Sequence, residues 1–285
     1  MKGKIYKALI ELRRNFYKRR ILSYYASSKD AEICEIIDSI TKNNELNIFN
    51  YEFVKKYSAM NVEIEYDNKA EMYYVIENKR PLYFKRGMKP DEIKEYYRGI
   101  SMEQDISSPH RYLSDYGIQL DEDDIVIDLG GAEGNFVFKN IDKISKAIIV
   151  ECDEAWAEAL KMTFRDSSKV VILNKMISDV TDSVSISIDE LVKKYCGGMV
   201  DFVKMDIEGM EVKALNGAKE LLRKGAKFAI CSYHNQGDFE LLASILKNYN
   251  YKISHSKGFM TVYISWNFCK PYLRRGLIFG EKELN

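Results

Sequence analysis

From residue 123 onward, short apolar runs alternate with helical patterns. The apolar runs are IVIDL, AIIVE, VVILN, DFVKM and KFAICSY, and the stretches between them include EAWAEALKMTF, IDELVKKY and EVKALNGAKELLRK. Short apolar runs separated by helices form right-handed βαβ units around a buried parallel sheet. The sequence therefore predicts an α/β fold whose core is a mostly parallel sheet.

The pattern changes near the C-terminus. YKISHS and FMTVYISWNF have the composition of two strands, joined by a short link around Lys257 and Gly258. This arrangement predicts a terminal antiparallel hairpin. A parallel sheet that ends in such a hairpin is typical of Rossmann-like folds of the methyltransferase type rather than of the nicotinamide-binding type.

The stretch VIDLGGAEGNF, residues 126–136, places three glycines directly after the first strand. In a doubly wound sheet, the turn after the first strand usually contacts the ligand. Gly130 and Gly134 let the backbone approach a ligand closely, and Glu151 at the end of the second strand suits hydrogen bonding to ribose. The spacing departs from GxGxxG, which weakens the dinucleotide interpretation. A tight turn without a ligand is the alternative.

Charge and cysteine content narrow the class of protein. Lys plus Arg and Asp plus Glu number 43 each, so nucleic acid is not expected as the main partner. The five cysteines lack CxxC spacing, which favours a reduced, cytoplasmic compartment with the thiols buried as small apolar groups. No apolar run approaches the roughly 20 residues that span a bilayer, and the N-terminus lacks a signal-peptide pattern.

The first 20 residues contain eight Lys or Arg and one acid, Glu11. Ile5, Leu9, Leu12 and Phe16 recur at helical spacing, which predicts a basic amphipathic helix. Two roles are open for this helix. It packs on the body of the protein or on a second subunit, as in a homodimer, or it lies on an anionic membrane surface.

Residues 1–104 are predicted to form an α+β region that precedes the main domain, residues 105–285. Further helices are expected around AEICEIIDSI and NYEFVKKY, then a hairpin in residues 61–86 with PLYFKRG as a third strand, then a helix at KPDEIKEYYRGI. We expect this region to form a lid, a dimer contact or a substrate contact. Its tyrosines either stack on sugar rings or fill small cores: Tyr73, Tyr74, Tyr83, Tyr96 and Tyr97.

Three blocks of sequence resemble a known family. They are the turn DLGGAEG (128–134), SIDELV (187–192) and VDFVKMDIEGMEVKALNGA (200–218), to which the SYH that closes the fifth strand is added. Together they resemble the FkbM family of S-adenosylmethionine-dependent methyltransferases, which are usually small-molecule and sugar O-methyltransferases. The resemblance covers roughly residues 105–265. The sequence GAE stands where the family often has Ala-Asn-Ile, which shifts the loop but keeps the flanking glycines.

The resemblance implies a cofactor pocket at the sheet edge. Its members would be Asp128, Gly130, Gly134 and Asn135, with Glu151 on the ribose, Asp153 and Trp156 bordering the adenine, and Ser178 and Asp179 contacting the adenine ring. Ordinary structural roles remain open for two of these residues. Trp156 is equally suited to core packing, and Asp179 to capping or a turn.

Methyl transfer to an alcohol needs a group that accepts the hydroxyl proton, worth roughly 10²–10⁴-fold in rate. Strand alternation places Lys204 and Asp206 on one face, with Glu208 in the following loop, and His234 ends the fifth strand. We expect His234 or Asp206 to accept the proton. The alternatives are that His234 caps the next helix and that Asp206 anchors the cofactor or the loop.

A magnesium ion is possible but is not favoured at this edge. Asp206, Glu208, Asn235 and Asp238 would supply its oxygen ligands, but such oxygens also cluster by chance. The sequence has no His and Cys spacing of a zinc site.

The segment after Pro109 is a further candidate. Arg111 is suited to the methionine carboxylate of the cofactor, and Tyr112 to the face of its sulfonium. An ordinary capped helix is the alternative.

Three functions remain in competition at this point. The first is an S-adenosylmethionine-dependent O-methyltransferase that acts on a sugar hydroxyl of a glycan, a glycolipid or a nucleotide-linked precursor. The second is a nicotinamide oxidoreductase, which the missing GxGxxG disfavours. The third is a non-catalytic binding protein on a methyltransferase fold. The sequence does not identify the acceptor.

Overall fold

The computed structural model describes residues 2–113, 117–265 and 268–282, with the backbone alone for residues 2–7. Its helices are α1 (Lys2–Tyr24), α2 (Ala31–Asn43), α3 (Val54–Ser58), α4 (Pro90–Glu103), α5 (Asn135–Asn140), α6 (Glu154–Thr163), α7 (Ile188–Tyr195), α8 (Glu211–Asn216), α9 (Lys219–Lys224) and α10 (Asp238–Asn248). Its strands are β1 (Glu65–Asp67), β2 (Met72–Glu77), β3 (Arg80–Tyr83), β4 (Ile125–Leu129), β5 (Lys146–Val150), β6 (Val170–Leu173), β7 (Met176–Ile177), β8 (Ser185–Ile186), β9 (Phe202–Met205), β10 (Lys227–Cys231), β11 (Tyr251–His255) and β12 (Leu277–Lys282).

In the described part of the chain, the central sheet has seven strands in the order β11-β12-β10-β9-β4-β5-β6. The five strands from β10 to β6 are parallel, and β12 runs antiparallel between β10 and β11. The chain moves from β4 to one edge of the sheet and then returns through β9 to the other edge. This is the sheet of class I methyltransferases, and it confirms the predicted fold class.

The sheet is buried on both faces because its strands are apolar at successive positions. Val126 and Ile149 face one core, while the adjacent Ile127 and Ile148 face the other. Helices cover the two faces, as βαβ connections require. The carboxyl ends of β4 and β9, where the strand order reverses, remain free to form a crevice.

The predicted hairpin and the helix after it pack directly on this sheet. Strands β1, β2 and β3 form an antiparallel sheet with its first turn at Asp67. Buried Leu82 and Phe84, together with Ile93 and Ile100 of α4, share one apolar core with the first face of the main sheet. The boundary at residue 104 stays a prediction, but the core continues across it.

Helices α1 and α2 belong to a different core. We call it the distal core, and its buried members are Ile21, Ile36, Ile40, Leu46, Tyr263, Phe268, Tyr272 and Leu273. It joins the start of the chain to the segment between the last two strands, residues 256–276, which we call the insert. Helix α1 turns Ile10, Tyr17 and Ile21 toward this core. The predicted apolar stripe at Leu9, Leu12 and Phe16 instead faces outward, and the side chain of Ile5 lies outside the described residues.

The prediction for the final hairpin was partly wrong. Strand β11 pairs with β12, with His255 opposite Ile278, and not with FMTVYISWNF, of which residues 266–267 lie outside the described part. A strand between β10 and β11 needs apolar side chains on both faces, and Leu277, Ile278 and Phe279 provide them, since all three are buried. The described aromatic residues of the insert pack in or against the distal core instead: Phe259, Tyr263, Phe268 and Tyr272.

Two expectations from the bulk composition can be compared with the structure. Cys196 and Cys231 are buried as expected, but Cys152 and Cys269 are exposed, so burial does not account for every thiol. Among the described helices, none is long and apolar enough to cross a bilayer.

Candidate active site

A cavity of about 650 Å³ opens at the carboxyl ends of β4, β5 and β9. Asp128, Glu151 and Asp206 line it from the ends of these strands, and Tyr96 and Glu103 line it from α4. Its volume is in the range of pockets that bury a cofactor or a small ligand. The helix of the predicted lid therefore forms one wall of the predicted pocket.

The glycines of the first turn are required by the protein itself. Gly130 has a φ of +74°, and a Cβ there would lie 1.8 Å from the backbone oxygen of Asp206. Gly134 has a φ of +83°, and a Cβ there would lie 2.6 Å from a methyl carbon of Leu160. Gly130 lines the cavity but Gly134 does not. The protein's own packing thus already requires both glycines, and a close approach of Gly130 to a cofactor stays a prediction.

Asp128 and Lys204 form a buried ion pair that joins the ends of β4 and β9. Their Oδ1 and Nζ atoms lie 2.8 Å apart, and Lys204 also donates to the carbonyl of Gly130 at 2.6 Å. Burial raises the pKa of Asp128 although Lys204 opposes this. Because the charges compensate each other, Asp128 contributes a fixed polar wall rather than a free negative charge.

Glu151 lies at the predicted ribose end of the cavity. Its Oε2 accepts from the backbone N–H of Ala132 at 2.9 Å, and its Oε1 accepts from that of Asp153 at 2.8 Å. Each carboxylate oxygen has a further lone pair. Glu151 is therefore held in one orientation and can still accept hydrogen bonds from a diol.

The two residues predicted to border the adenine both line the cavity, but each also has a structural role. Asp153 lines the cavity, but its carboxylate caps α6 and pairs with Lys85 at 2.5 Å. Trp156 lines the cavity and also packs against Tyr96, with ring centroids 5.3 Å apart, so the core-packing and cofactor interpretations are compatible.

The other predicted adenine contacts lie beside the cavity. Ser178 donates to Asp179 at 3.1 Å, and Asp179 lies 3.7 Å from Lys213. Neither residue is part of the wall, which Met176 and Ile177 form at this point. A role for Ser178 and Asp179 on the adenine remains a prediction.

Asp206 lies at the centre of the other end of the cavity, away from Glu151. Tyr112 donates its hydroxyl to Oδ2 at 2.6 Å, and Nε2 of His110 lies 3.6 Å from the same oxygen. Burial raises the pKa of Asp206, but His110, Lys204 and His234 outweigh it and bring the pKa to about 2. Asp206 is consequently an ionised carboxylate at neutral pH.

His234 lies directly behind Asp206. Its Nε2 is 3.4 Å from Oδ1 of Asp206 and 3.7 Å from Oε2 of Glu208, and these two acids line the cavity. On the other side of the ring, Nδ1 lies 2.9 Å from Oε1 of buried Glu211. Burial lowers the pKa of His234, but Glu211, Asp206 and Glu208 outweigh this effect and the pKa is raised.

Sequence reasoning missed several residues of this cluster. Glu211 lies in the quoted block VDFVKMDIEGMEVKALNGA, yet spacing does not show that it would meet a histidine from another strand. Buried His110, which precedes Arg111 and Tyr112, was not among the predicted site residues. Its Nε2 lies 3.1 Å from the hydroxyl of Tyr233, and burial lowers its pKa to about 4, so the ring is neutral.

Two acids also face the cavity without having been predicted. Glu133 accepts from the hydroxyl of Tyr96 at 2.7 Å. Burial and the nearby carboxylates of Asp206 and Glu133 raise the pKa of Glu103. Since Glu103 ends α4, the signal that could have found it was the position of that helix, which required the tertiary structure.

Arg111 does not line this cavity, and of the four candidate magnesium ligands Asp206 and Glu208 line it whereas Asn235 and Asp238 do not. Arg111 lines a separate cavity of about 560 Å³. Asp238 accepts from the backbone N–H of Asn235 at 2.7 Å. Among the described His, Cys, Asp and Glu residues, the groups close enough to share an ion combine Asp206 with Glu211 and His234, or with His110 and Cys231. That magnesium is not favoured here stays a prediction.

Several solved structures are similar to this chain. M. jannaschii TYW2, solved in complex with AdoMet, is 13% identical, with 78% of this chain and 90% of that chain covered and a TM-score of 0.42. A SAM-dependent methyltransferase from Aquifex aeolicus is 15% identical, with 68% and 97% covered and a TM-score of 0.39. Precorrin-6y C5,15-methyltransferase from Geobacter metallireducens GS-15 is 9% identical, with 58% and 83% covered and a TM-score of 0.40.

The sequence itself assigns the family. No curated protein matches it, but the methyltransferase FkbM domain matches residues 55–253, more than two thirds of the chain. The match begins far before residue 105, so the hairpin and α4 are part of the family domain and not an addition to it. The chain therefore belongs to the FkbM methyltransferase family, and it is an S-adenosylmethionine-dependent methyltransferase.

Proposed function

We propose that this enzyme methylates a hydroxyl group of a carbohydrate acceptor and that His234 accepts the hydroxyl proton. The observation that carries the proposal is the position of His234 between Glu211 and the cavity acid Asp206. When bound, S-adenosylmethionine supplies a methyl group on a sulfonium whose leaving group is neutral. Activation of the acceptor oxygen is then the step for which the protein must provide chemistry.

The residues at the other end of the cavity fit the cofactor. Glu151 keeps lone pairs for the ribose hydroxyls, and Trp156 and Ile177 offer apolar walls suited to an adenine ring. Lys204 neutralises Asp128, so this wall does not add a free charge. These contacts would hold the cofactor, while the acceptor would occupy the end near Asp206.

His234 is prepared to act as a base. Glu211 faces Nδ1 at 2.9 Å, which favours the tautomer with its proton on Nδ1 and leaves the lone pair on Nε2. Both ring nitrogens are buried without a hydrogen bond of good geometry within the described residues, and Nε2 is the one that faces the cavity acids Asp206 and Glu208. Buried polar atoms are usually satisfied, and a hydroxyl that enters between Asp206 and Glu208 would satisfy this one.

Asp206 supports the transfer rather than accepting the proton. With a pKa of about 2, it has little affinity for a proton at neutral pH. Its negative charge stabilises the imidazolium that forms on His234, 3.4 Å away. Tyr112 fixes the carboxylate through its hydroxyl, so the charge stays in place throughout the reaction.

The carbohydrate class of the acceptor is supported by the lining of the cavity and by the usual acceptors of the resembled family. Tyr96, Tyr112 and Tyr233 provide aromatic surfaces, and Glu208 provides a carboxylate that accepts from sugar hydroxyls. Glu103, whose pKa is raised to about 8, provides a carboxyl group that can also donate to a sugar oxygen. Acidic residues outnumber basic residues in the cavity lining. This excess disfavours an acceptor whose anionic group would have to enter the cavity. The cytoplasmic location remains part of this proposal.

The test is a methyl-transfer assay with neutral sugars, amino sugars and simple amines, with the product identified by mass spectrometry. We expect an O-methyl product, and His234→Gln should lower kcat by roughly 10²–10⁴-fold. We expect activity to survive a chelator, because the proposed base needs no metal. An N-methylated product, or a His234→Gln enzyme with full activity and an unchanged cofactor Kd, would overturn the proposal.

A further inference from the structure

The outward face of α1 carries a strip of apolar side chains, which we call the α1 strip. Its members Leu9, Leu12 and Phe16 are 59%, 69% and 51% exposed. At about 100° per residue they share one side of the helix, and Arg19 and Arg20 fall on either side of it. Arg19 and Arg20 are also exposed. Scattered exposed apolar residues are ordinary, but three on one helix face between arginines form a patch.

The helix is fixed so that the α1 strip points away from the body. On the opposite face Ile21 is buried in the distal core. Arg13 donates to the carbonyls of Tyr263 and Ser265, and Tyr17 donates to the carbonyl of Phe268. A rotation that buried the α1 strip against the body would break these contacts. The exposure is therefore a consequence of how the insert holds the helix.

Among the described side chains of α1, residues 8–24, the charged groups are Arg or Lys except for Glu11. Glu11, the acid among the first 20 residues, lies 2.9 Å from Arg14, which also pairs with Glu45. The guanidinium of Arg20 lies 4.6 Å from the ring centroid of Phe16. Its apolar stem and its charge thus extend the edge of the strip, where the charge can meet anions.

We propose that the α1 strip docks on the surface of an anionic lipid bilayer. An apolar helix face bordered by Arg and Lys enters the boundary between headgroups and acyl chains, while the cations contact lipid phosphates. A symmetric contact with a second copy would bring the flanking arginines of two chains together, which is unfavourable. Nucleic acid would use the arginines but not Leu9, Leu12 and Phe16. The proposal is independent of the reaction proposed above.

The full-length protein should be sedimented with vesicles of phosphatidylcholine alone and of phosphatidylcholine with phosphatidylglycerol. We expect binding to the anionic vesicles that weakens as salt rises. Leu12→Glu with Phe16→Glu, and separately Arg19→Glu with Arg20→Glu, should each weaken the partition by roughly tenfold or more. All four side chains are exposed, so thermal unfolding should be unchanged.

Matched controls make the same chemical changes elsewhere. Leu241→Glu alters an exposed leucine on α10, and Lys193→Glu with Lys194→Glu reverses two exposed charges on α7. These variants should bind vesicles like the unmodified protein. Equal losses in the controls, or no vesicle binding at low salt, would overturn the proposal.

Two other results would also overturn the proposal, because each would identify a different partner for the α1 strip. The first is a dimer in light scattering that Leu12→Glu with Phe16→Glu converts to a monomer, without vesicle binding. The second is binding to an RNA oligonucleotide that depends on Arg19 and Arg20 but not on Leu12 and Phe16.

Discussion

The first hundred residues contain two regions that differ in what they are attached to. The cavity-side region, residues 62–103, shares its core with the main sheet and supplies Tyr96 and Glu103 to the cavity. The distal region, residues 10–50, packs on the insert and contributes no side chain to the cavity wall within the described residues. Proximity in sequence therefore says little about participation in the site, and the family match, which begins at residue 55, divides the two regions in the same way.

The largest expected difference between the two regions comes from equivalent cavity-creating substitutions, one in each region. Ile93 on α4 and Ile36 on α2 are fully buried isoleucines in the two regions. Ile93→Ala and Ile36→Ala should each cost about 2–5 kcal/mol of local or global stability. Only Ile93→Ala should also weaken S-adenosylmethionine binding in calorimetry, because α4 carries residues of the cavity wall. Equal cofactor affinity in the two variants would show that α4 does not shape the site.

A substitution within the site should have a smaller effect, and it tests the role of His234 as the base. Its raised pKa means that activity falls as pH decreases through that value, because the protonated ring cannot accept a proton. Glu211→Gln removes a charge that raises the pKa, so the acidic limb of kcat against pH should move to lower pH.

The maximum rate of Glu211→Gln should also fall, by roughly 10–100-fold, which is less than loss of the base itself at roughly 10²–10⁴-fold. Glu35→Gln in the distal region is the matched control and should leave the profile in place. An acidic limb that does not move would remove Glu211 as the positioning residue.

The smallest effect concerns how the distal region is held. Glu32 on α2 lies 2.6 Å from Arg275 of the insert and accepts from the backbone N–H of Gly258. Burial raises the pKa of Glu32, but these two contacts outweigh it and the pKa is lowered. A lowered pKa contributes stability that is present above the unfolded value and is lost as pH falls through the folded value.

Because Glu32 is about one-third exposed, Glu32→Gln should cost about 1 kcal/mol or less. Hydrogen exchange should report faster opening of α1 and α2 at pH 7, and the difference from the unmodified protein should disappear in acid. Faster exchange in α4 as well would mean that the two regions open as one unit.

Much of the fold was predictable because it depends on local periodicity. The strands around Ile127, Ile148 and Val203 are apolar except at Asp128, Lys146 and Lys204, and a buried parallel sheet requires apolar side chains on both faces. The terminal strand was mistaken because residues 259–268 are as aromatic and β-branched as a strand. Only the tertiary structure shows that Tyr263 and Phe268 are already buried against helices.

The site was predictable in position but not in detail. Asp206 and His234 follow strands whose ends meet at one sheet edge, so their proximity follows from topology. The contact of His234 with Glu211 depends on the ring's rotation and on where α8 begins, which no spacing encodes. Likewise, α1 is apolar on two sides, and periodicity alone could not decide that Ile10, Tyr17 and Ile21 face inward while Leu9, Leu12 and Phe16 face out.

The place of β12 has a consequence for synthesis of the chain. This strand follows β11 in the chain, yet it lies between β10 and β11 and pairs with both. On the ribosome, β11 therefore emerges without its hydrogen-bonding neighbour, and the partners of α1 and α2 in the insert emerge late as well. Although domains usually fold from the N-terminus during translation, helices α1 and α2 must wait for the insert, which is made only after β1 to β11. Their apolar faces remain accessible to chaperones until then.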